Sequence, residues 1–216
     1  YLDGIVLAQS CLHMRQAFTS WKMHVPVKYS CYLYVPHGIQ TRHAYPYLRG
    51  ELEEFKKSLE KWTGKTITNK DLDHAIEVYN TNRRLMKQVY ELRKKPDPPL
   101  TGLEAMEMVV SSQLTDKEEH NHALKDLLEK LPQRKTQRET GTRLMILGSE
   151  NDDTEFMNMV ESLGATFVIE DHCTGSRYFW NEVIPQKDRL STVPAGQFRT
   201  RVEAFLETFQ LPTDLF

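Results

Sequence analysis

The most reactive stretch of the sequence directly follows a predicted strand. Carboxylate, imidazole, thiol, hydroxyl and guanidinium groups lie close together there, and aromatic side chains come next: Glu170, Asp171, His172, Cys173, Thr174, Ser176, Arg177, Tyr178, Phe179 and Trp180. Ligands of open α/β sheets gather at the carboxyl ends of the strands. The pattern favours a metal ligand, a general acid or an anion-binding group over a purely structural loop.

Cys11 follows another predicted strand, residues 4–8, and opens a helix. Unpaired backbone N–H groups and the helix dipole stabilise a thiolate at such a position. Two interpretations stay open, namely a metal ligand or nucleophile, and a small buried residue that fills the turn. His37 follows a second predicted strand, where it could face the same ligand-binding edge, although a single loop histidine is more often solvated.

A third strand end carries Gly148–Asp153, which is rich in acidic and amide side chains. A phosphate-binding loop needs glycines and exposed backbone amides. The sequence has no G-x-G-x-x-G pattern here and no G-x-x-x-x-G-K pattern anywhere, so we expect no nucleotide bound by the usual loops on this chain. Asn151 or Asp152 is instead the expected N-cap of the next helix.

Hydrophobic periodicity predicts the elements that position these residues. We predict strands at residues 4–8, 27–35, 143–147 and 165–169. We predict helices at residues 12–22, 47–62, 71–94, 115–131, 154–163 and 198–209, with a capping box at Thr115–Glu118. Strands joined by one short helix imply parallel pairing.

These elements predict an α/β protein with parts of two flavodoxin- or Rossmann-like parallel-sheet domains. Residues 1–46 would be the C-terminal part of the first domain, and residues 141–216 the start of the second. Residues 47–140 would be a helical connecting segment. The sequence starts without an initiator Met and in the middle of a fold pattern, so we expect a fragment of a longer protein.

The composition excludes several classes of protein. The 216 residues carry 28 Lys+Arg against 30 Asp+Glu, which argues against a nucleic-acid or membrane-surface binder. The mean hydropathy is −0.56, and no apolar stretch approaches the ~20 residues of a membrane helix. Three widely spaced cysteines predict no disulfide framework and fit a reducing, cytoplasmic setting.

Several stretches match a known family in content and order: Ser20-Trp21-Lys22 with Val25-Pro26, Ala75–Arg83, Pro99–Gly102, Arg143–Asp153 and Asp171–Trp180. Over nearly its whole length, the sequence resembles subunits of the benzoyl-CoA reductase and 2-hydroxyacyl-CoA dehydratase family. The resemblance implies a longer subunit with two α/β domains, which pairs with a homologous subunit as a heterodimer.

The resemblance also implies an oxygen-sensitive [4Fe–4S] cluster, held by cysteines from separated segments. ATP and a further cluster are expected on partner subunits with ATPase activity, which pass on single electrons from reduced ferredoxin at very low potential. In the reductase branch these electrons dearomatise benzoyl-CoA to a cyclohexadiene thioester. In the dehydratase branch a recycled electron drives radical elimination of water from a 2-hydroxyacyl-CoA.

Two cysteines match motif positions of the family. Cys11 is expected to bind the cluster, although Leu12 follows it where the family often has Asp. Cys173 is expected either to bind iron or to line the cavity beside the cluster. Further cluster ligands are expected outside residues 1–216.

Other side chains receive expected roles on chemical grounds. His37 and His172 are candidate proton donors, because imidazole changes its charge near neutral pH. Trp21, Ser176, Arg177 and Trp180 are candidates for the substrate cavity, although ordinary core packing explains the aromatic residues equally well.

The motifs around Trp21, Gly148–Asp153 and Ser176–Trp180 look closer to the reductase branch. We therefore predict an iron–sulfur subunit of an ATP-dependent benzoyl-CoA reductase. A 2-hydroxyacyl-CoA dehydratase subunit is the first alternative. A non-catalytic α/β scaffold subunit, which would bind no iron, is the second.

Overall fold

The computed structural model describes residues 2–9, 11–36, 38 and 41–191. This part of the chain divides into two compact units. The first contains the described residues up to Asp73 together with 184–191, and the second contains His74–Val183. No helix among the described residues is both long enough and apolar enough to span a bilayer. The predicted helix at 198–209 lies outside the described residues.

The first unit is a parallel β-α-β arrangement followed by helices. Its elements are β1 (Gly4–Ala8), α1 (Leu12–His24), β2 (Tyr29–Leu33), α2 (Ala44–Thr63) and the start of α3 (Asn69–Leu92). The two strands pair in parallel, with Gly4 opposite Tyr29. Tyr29 stacks on Trp62 at 4.5 Å between ring centroids, and its hydroxyl lies 3.0 Å from Ser58 Oγ. These aromatic and polar contacts attach α2 to the sheet.

The second unit repeats the parallel arrangement on a larger helical base. Its elements are the rest of α3, α4 (Gly102–Leu114), α5 (Lys117–Lys130), a 3-10 turn (Leu131–Gln133), β3 (Thr142–Leu147), α6 (Thr154–Ser162), β4 (Ala165–Asp171) and α7 (Ser176–Phe179). The strands pair from Thr142 opposite Ala165 to Leu147 opposite Asp171. The register shifts by one residue after Leu144.

The helices of the second unit enclose its main core. The core residues come from α3, α4, α5, α7 and the connections between them: Leu85, Met86, Val89, Tyr90, Leu100, Ala105, Val109, Leu124, Leu131 and Phe179. A smaller cluster of Met106, Met157 and Phe167 joins α4 to α6 and β4. The carboxyl end of β4, where the reactive loop begins, is therefore packed on a buried helical base.

The predicted α/β class and the parallel pairing of both strand pairs are confirmed. The predicted strands and helices that fall on described residues lie within a few residues of their predicted positions, but α4 and the short α7 are not among the predicted helices. Thr101 and Glu104 form a complete capping box at the start of α4. The three-part division at residues 46 and 140 stays a prediction.

The predicted capping of two helices is wrong in its register. Asp116, not Thr115, is the N-cap of α5 and accepts the N–H groups of Glu118 and Glu119. Thr115 instead ends α4, and its hydroxyl donates to the Ser111 carbonyl at 2.8 Å. Asp153, rather than Asn151 or Asp152, caps α6.

Candidate functional site

The loops that follow β3 and β4 are joined beyond the ends of the strands. The Gly148 N–H donates to the Asp171 carbonyl at 3.3 Å, and the Cys173 N–H donates to the Ser149 carbonyl at 2.8 Å. The parallel strands thus bring the Gly148–Asp153 loop against the loop that holds Cys173.

Thr174 ties the two loops together through its hydroxyl. Thr174 Oγ1 donates to the Asn151 carbonyl at 2.5 Å and accepts the Asn151 N–H at 3.0 Å. His172 Nδ1 lies 3.0 Å from the same hydroxyl oxygen. Because the single hydroxyl proton is donated to Asn151, we assign a proton to Nδ1, which donates to Thr174. The neutral imidazole then has its lone pair on Nε2.

His172 is fully buried at 0% exposure, and burial lowers the pKa of its imidazole, which favours the neutral form. Its Nε2 atom and the Asn151 Nδ2 atom are buried without a hydrogen-bond partner in the described part of the chain. Most buried polar atoms have a partner. Each of these two atoms would gain a hydrogen bond from a ligand or a water molecule placed beside it.

Arg177 fixes the geometry of both loops. Its Nε donates to Asp171 Oδ1 at 2.7 Å, its Nη2 to Asp171 Oδ2 at 3.1 Å, and its Nη1 to the Gly148 carbonyl at 2.8 Å. The hydrogen bond to Asp171 raises the pKa of Arg177, and the Cys173 thiol contributes to the same shift. Cys173 itself is free and exposed.

A buried charge network that is not predicted from the sequence supports the loop that holds Cys173. Glu170 and Arg93 are 0% and 1% exposed. Arg93 donates to both carboxylate oxygens of Glu170 and to the Phe167 carbonyl, and the Tyr90 hydroxyl donates to Glu170 at 2.6 Å. Burial raises the pKa of Tyr90 well above its ordinary value. Burial alone would lower the pKa of Arg93, but the Glu170 carboxylate reverses the shift.

The only signal for this network in the sequence is a charged residue, Glu170, at the end of an apolar strand. Its partner Arg93 resembles an ordinary basic residue near the end of a helix, and 77 positions separate the two. A pairing over that distance cannot be predicted from periodicity.

Two further residues predicted to belong to the site lie beside this charge network or the helical core. Ser176 is buried, and its hydroxyl donates to the Glu170 carbonyl at 2.6 Å. Trp180 is half-buried against the core, with Phe179 at 6.2 Å between ring centroids and Lys87 Nζ at 5.9 Å from its ring. Both residues therefore have packing roles, and their place in a substrate cavity stays a prediction.

The remaining predicted residues belong to the first unit. Cys11 is the N-cap of α1, with an extended backbone and no side-chain capping hydrogen bond, and its thiol is free and exposed. The first turn of α1 contains no acidic residue. Trp21 on the same helix is half-buried, and its indole N–H has no partner among the residues described. His37 lies outside the described residues.

The thiols of Cys11 and Cys173 fit the donor chemistry of an iron–sulfur cluster, which is held by thiolates. Each is free and exposed and could reach an iron atom. Within the described ranges, no three His, Cys, Asp or Glu side chains form a metal-binding group.

The parallel sheets and the polar strand-end loops define an α/β protein whose candidate ligand site lies at a carboxyl edge. A model of the family described as "2-hydroxyglutaryl-CoA dehydratase, D-component" matches residues 1–195. The chain belongs to this family.

Curated relatives include both reductase and dehydratase subunits. A benzoyl-CoA reductase subunit of Thauera aromatica is 29% identical over 195 residues, which cover 89% of this chain and 50% of the relative. The (R)-phenyllactyl-CoA dehydratase beta subunit of Clostridium sporogenes is 22% identical over 93% of this chain and 53% of the relative. The lactoyl-CoA dehydratase beta subunit of Anaerotignum propionicum is 21% identical over 85% of this chain and 48% of the relative. The chain spans about half the length of these curated relatives.

Proposed function

We propose that this chain is part of an iron–sulfur subunit of an ATP-dependent benzoyl-CoA reductase. The observation that carries the proposal is the 29% identity with the benzoyl-CoA reductase subunit of Thauera aromatica over 195 residues, against 22% and 21% with the two dehydratase subunits. In the proposed reaction two electrons and two protons add to the aromatic ring of benzoyl-CoA, which gives a cyclohexadiene-carbonyl-CoA.

The proposed cofactor is a [4Fe–4S] cluster with Cys11 and Cys173 among the thiolate ligands of the subunit. Bound in the subunit, it would supply electrons one at a time at very low potential. The free, exposed state of both thiols supports the assignment. Arg177 supports it further, because its guanidinium compensates the negative charge of a Cys173 thiolate and is itself fixed by Asp171.

His172 and His37 are the proposed proton donors. Because the Nε2 atom of neutral His172 holds a lone pair, His172 must take up a proton there before it can donate one to the substrate. Trp21, Ser176, Arg177 and Trp180 are proposed to line the substrate cavity. The rings of Trp21 and Trp180 would help to exclude water from the reduced ring.

The proposed assembly contains a homologous cluster-bearing subunit and ATPase subunits that activate electrons from reduced ferredoxin. ATP and a further cluster would lie on those partners, which agrees with the lack of a phosphate-binding loop motif in this sequence. We propose a cytoplasmic location, which the three free cysteines support.

A 2-hydroxyacyl-CoA dehydratase subunit is the second candidate. It is favoured by the similarity to two dehydratase beta subunits, each over at least 85% of this chain. The cluster bound by the same thiols would then supply an electron that is recycled during water elimination instead of being consumed. A non-catalytic scaffold subunit predicts no bound iron.

The test uses the full-length subunit, purified without oxygen together with its partner subunits. Consumption of benzoyl-CoA that requires both dithionite and ATP supports the reductase. Reversible dehydration of a 2-hydroxyacyl-CoA, with benzoyl-CoA untouched, overturns it in favour of the dehydratase. Activity in neither assay, from folded protein that contains no iron, overturns both enzymatic functions.

A further inference from the structure

One face of α3 in the second unit carries two cations beside an aromatic ring. Tyr79, Arg83 and Lys87 follow one another at four-residue spacing, which places them on the same side of the helix. The Arg83 guanidinium lies 5.9 Å from the Tyr79 ring, and Lys87 Nζ lies 5.9 Å from the Trp180 ring. Tyr79 is 46% exposed, so solvent reaches this face.

Neither cation has a carboxylate partner within the described part of the chain. Arg83 makes one side-chain hydrogen bond, to the Asn80 amide oxygen at 3.0 Å. Tyr178, Glu182 and Tyr79 act on it electrostatically, and the Glu182 carboxylate binds Arg84 at 2.8 Å. Burial lowers the pKa of Arg83, so its charge is partly desolvated without being neutralised. Such a guanidinium is stabilised when an anion supplies the missing acceptors.

Lys117 strengthens the positive charge of this face from beneath. It is 7% exposed, and its ammonium donates to Ser112 Oγ and to the Tyr178 hydroxyl, each at 2.8 Å, and to the Ser112 carbonyl. It also lies 5.1 Å from the rings of Tyr79 and Tyr178. Because all its donors are used, Lys117 fixes the two rings and adds charge without contacting a ligand itself.

The face adjoins the loop that carries Cys173. Gln113, at the end of α4, donates from Nε2 to the Cys173 carbonyl at 3.2 Å. Lys117, at the start of α5, binds Tyr178, which follows Cys173 closely in the chain. The same helix junction therefore contacts both the candidate cluster ligand and the cationic face.

We infer that Arg83 and Lys87, together with the rings of Tyr79 and Trp180, bind the phosphorylated adenosine end of an acyl-CoA. Arginine and lysine bind phosphate oxygens, and adenine stacks on exposed aromatic rings. No glycine-rich loop is needed for such a site, because side chains supply the donors. The inference rests on the proposed function, which makes an acyl-CoA the substrate.

The test measures equilibrium binding of adenosine 3′,5′-bisphosphate by calorimetry. It uses the full-length subunit with its partners and compares the wild type with the double variant R83Q/K87Q. Loss of two charge-assisted contacts is expected to weaken binding at least about tenfold. The control K94Q/K125Q removes the same charge from exposed positions of the same unit and should bind like the wild type.

Competition experiments show which phosphate compound the site prefers. Coenzyme A should displace the bisphosphate, whereas ATP and inorganic phosphate at equal concentration should not. Unchanged binding in R83Q/K87Q overturns the inference, and so does equal displacement by ATP or by inorganic phosphate. If R83Q/K87Q binds the bisphosphate like the wild type, and the protein has normal iron content and reduces benzoyl-CoA, the proposed binding site is overturned but the proposed function is not. If R83Q/K87Q loses binding and the control does not, but the wild type contains no iron and shows no activity, the binding site is supported and the proposed function is overturned.

Discussion

The two β-α-β arrangements of this chain each place a free cysteine after a parallel strand, but they hold it in different ways. In the first unit, Cys11 caps α1 through its backbone, and no residue of α1 is buried. In the second unit, the loop of Cys173 is fixed by Thr174, Arg177 and the buried Glu170.

The difference lies in how each thiol position is determined. Buried hydrogen bonds to charged groups contribute more than exposed ones and impose a defined geometry. The Cys173 loop should therefore keep its shape without a bound cofactor, whereas no side-chain capping hydrogen bond fixes Cys11 at the start of α1. Substitutions in the second unit should accordingly have the larger effects.

The largest effect is expected from E170Q. The change removes the charge that balances Arg93, whose guanidinium remains buried, and broken buried ion pairs typically cost about 3–5 kcal/mol. Chemical denaturation should show that loss in the free energy of unfolding. The matched variant D3N in the first unit breaks the exposed Asp3–Lys28 pair and should leave stability unchanged. Equal stability of E170Q and the wild type would remove the basis of the comparison.

G175A should give the next largest effect. An added Cβ would lie 2.8 Å from Glu170 Cβ and 3.0 Å from the Glu170 carbonyl oxygen, so backbone must move. Overpacking of this kind costs about 1–3 kcal/mol, and thermal denaturation should detect it. G148A in the facing loop is the control, since nothing lies within 4 Å of its added Cβ. Similar melting of the two variants would show that the Cys173 loop is not tightly packed.

T174V should weaken the attachment between the Gly148–Asp153 loop and the loop that holds Cys173. The valine keeps the shape but loses the hydroxyl bonds to the Asn151 backbone and to His172, a loss of about 1–2 kcal/mol. Hydrogen exchange of the Asn151 amide should speed up, and T174S should restore slow exchange. Unaltered exchange in T174V would mean that backbone contacts alone hold the loops.

The smallest effect is a pH dependence from His120. Asn82 Nδ2 donates to His120 Nδ1 at 2.8 Å, and burial lowers the pKa of this imidazole. The unfolded chain therefore binds the proton at higher pH, and the free energy of unfolding falls as the pH drops below about 6.5. His172, whose pKa is also lowered by burial, acts in the same direction.

Denaturation of the wild type and of H120Q between pH 7 and pH 5 separates the contribution of His120. The wild type should lose more stability over this range than H120Q. H122Q, which changes an exposed residue of the same helix, should follow the wild type. Parallel curves for the wild type and H120Q would contradict the assignment.

Local patterns in the sequence predicted most of the secondary structure. The apolar run at residues 165–169 predicts a strand buried on both faces, and β4 is largely buried. The apolar run at Gly4–Ala8 predicts the position of β1 but not its burial, because no residue of β1 is buried and Val6 is 42% exposed. Helix α4 escaped prediction, since the prolines before it and the serines within it are typical of a loop. Its capping box at Thr101 and Glu104 was the available signal.

The loops of the candidate site could be found from residue types, but their supports could not. The many functional side chains that follow one predicted strand identified His172, Cys173 and Arg177 as members of one site. The pairing of Glu170 with Arg93, and of Tyr178 with Lys117, depends on tertiary contacts between distant segments. Only the folded chain brings such residues together.

The most direct test of the proposed function is the iron and acid-labile sulfide content per full-length subunit, purified without oxygen alongside its partner. The wild type and C31S should contain stoichiometric iron, because Cys31 lies within β2 and is not a proposed ligand. C11S and C173S should each lose iron while they keep their circular dichroism. Folded wild type without iron, or full iron content in C11S and C173S, would contradict the account.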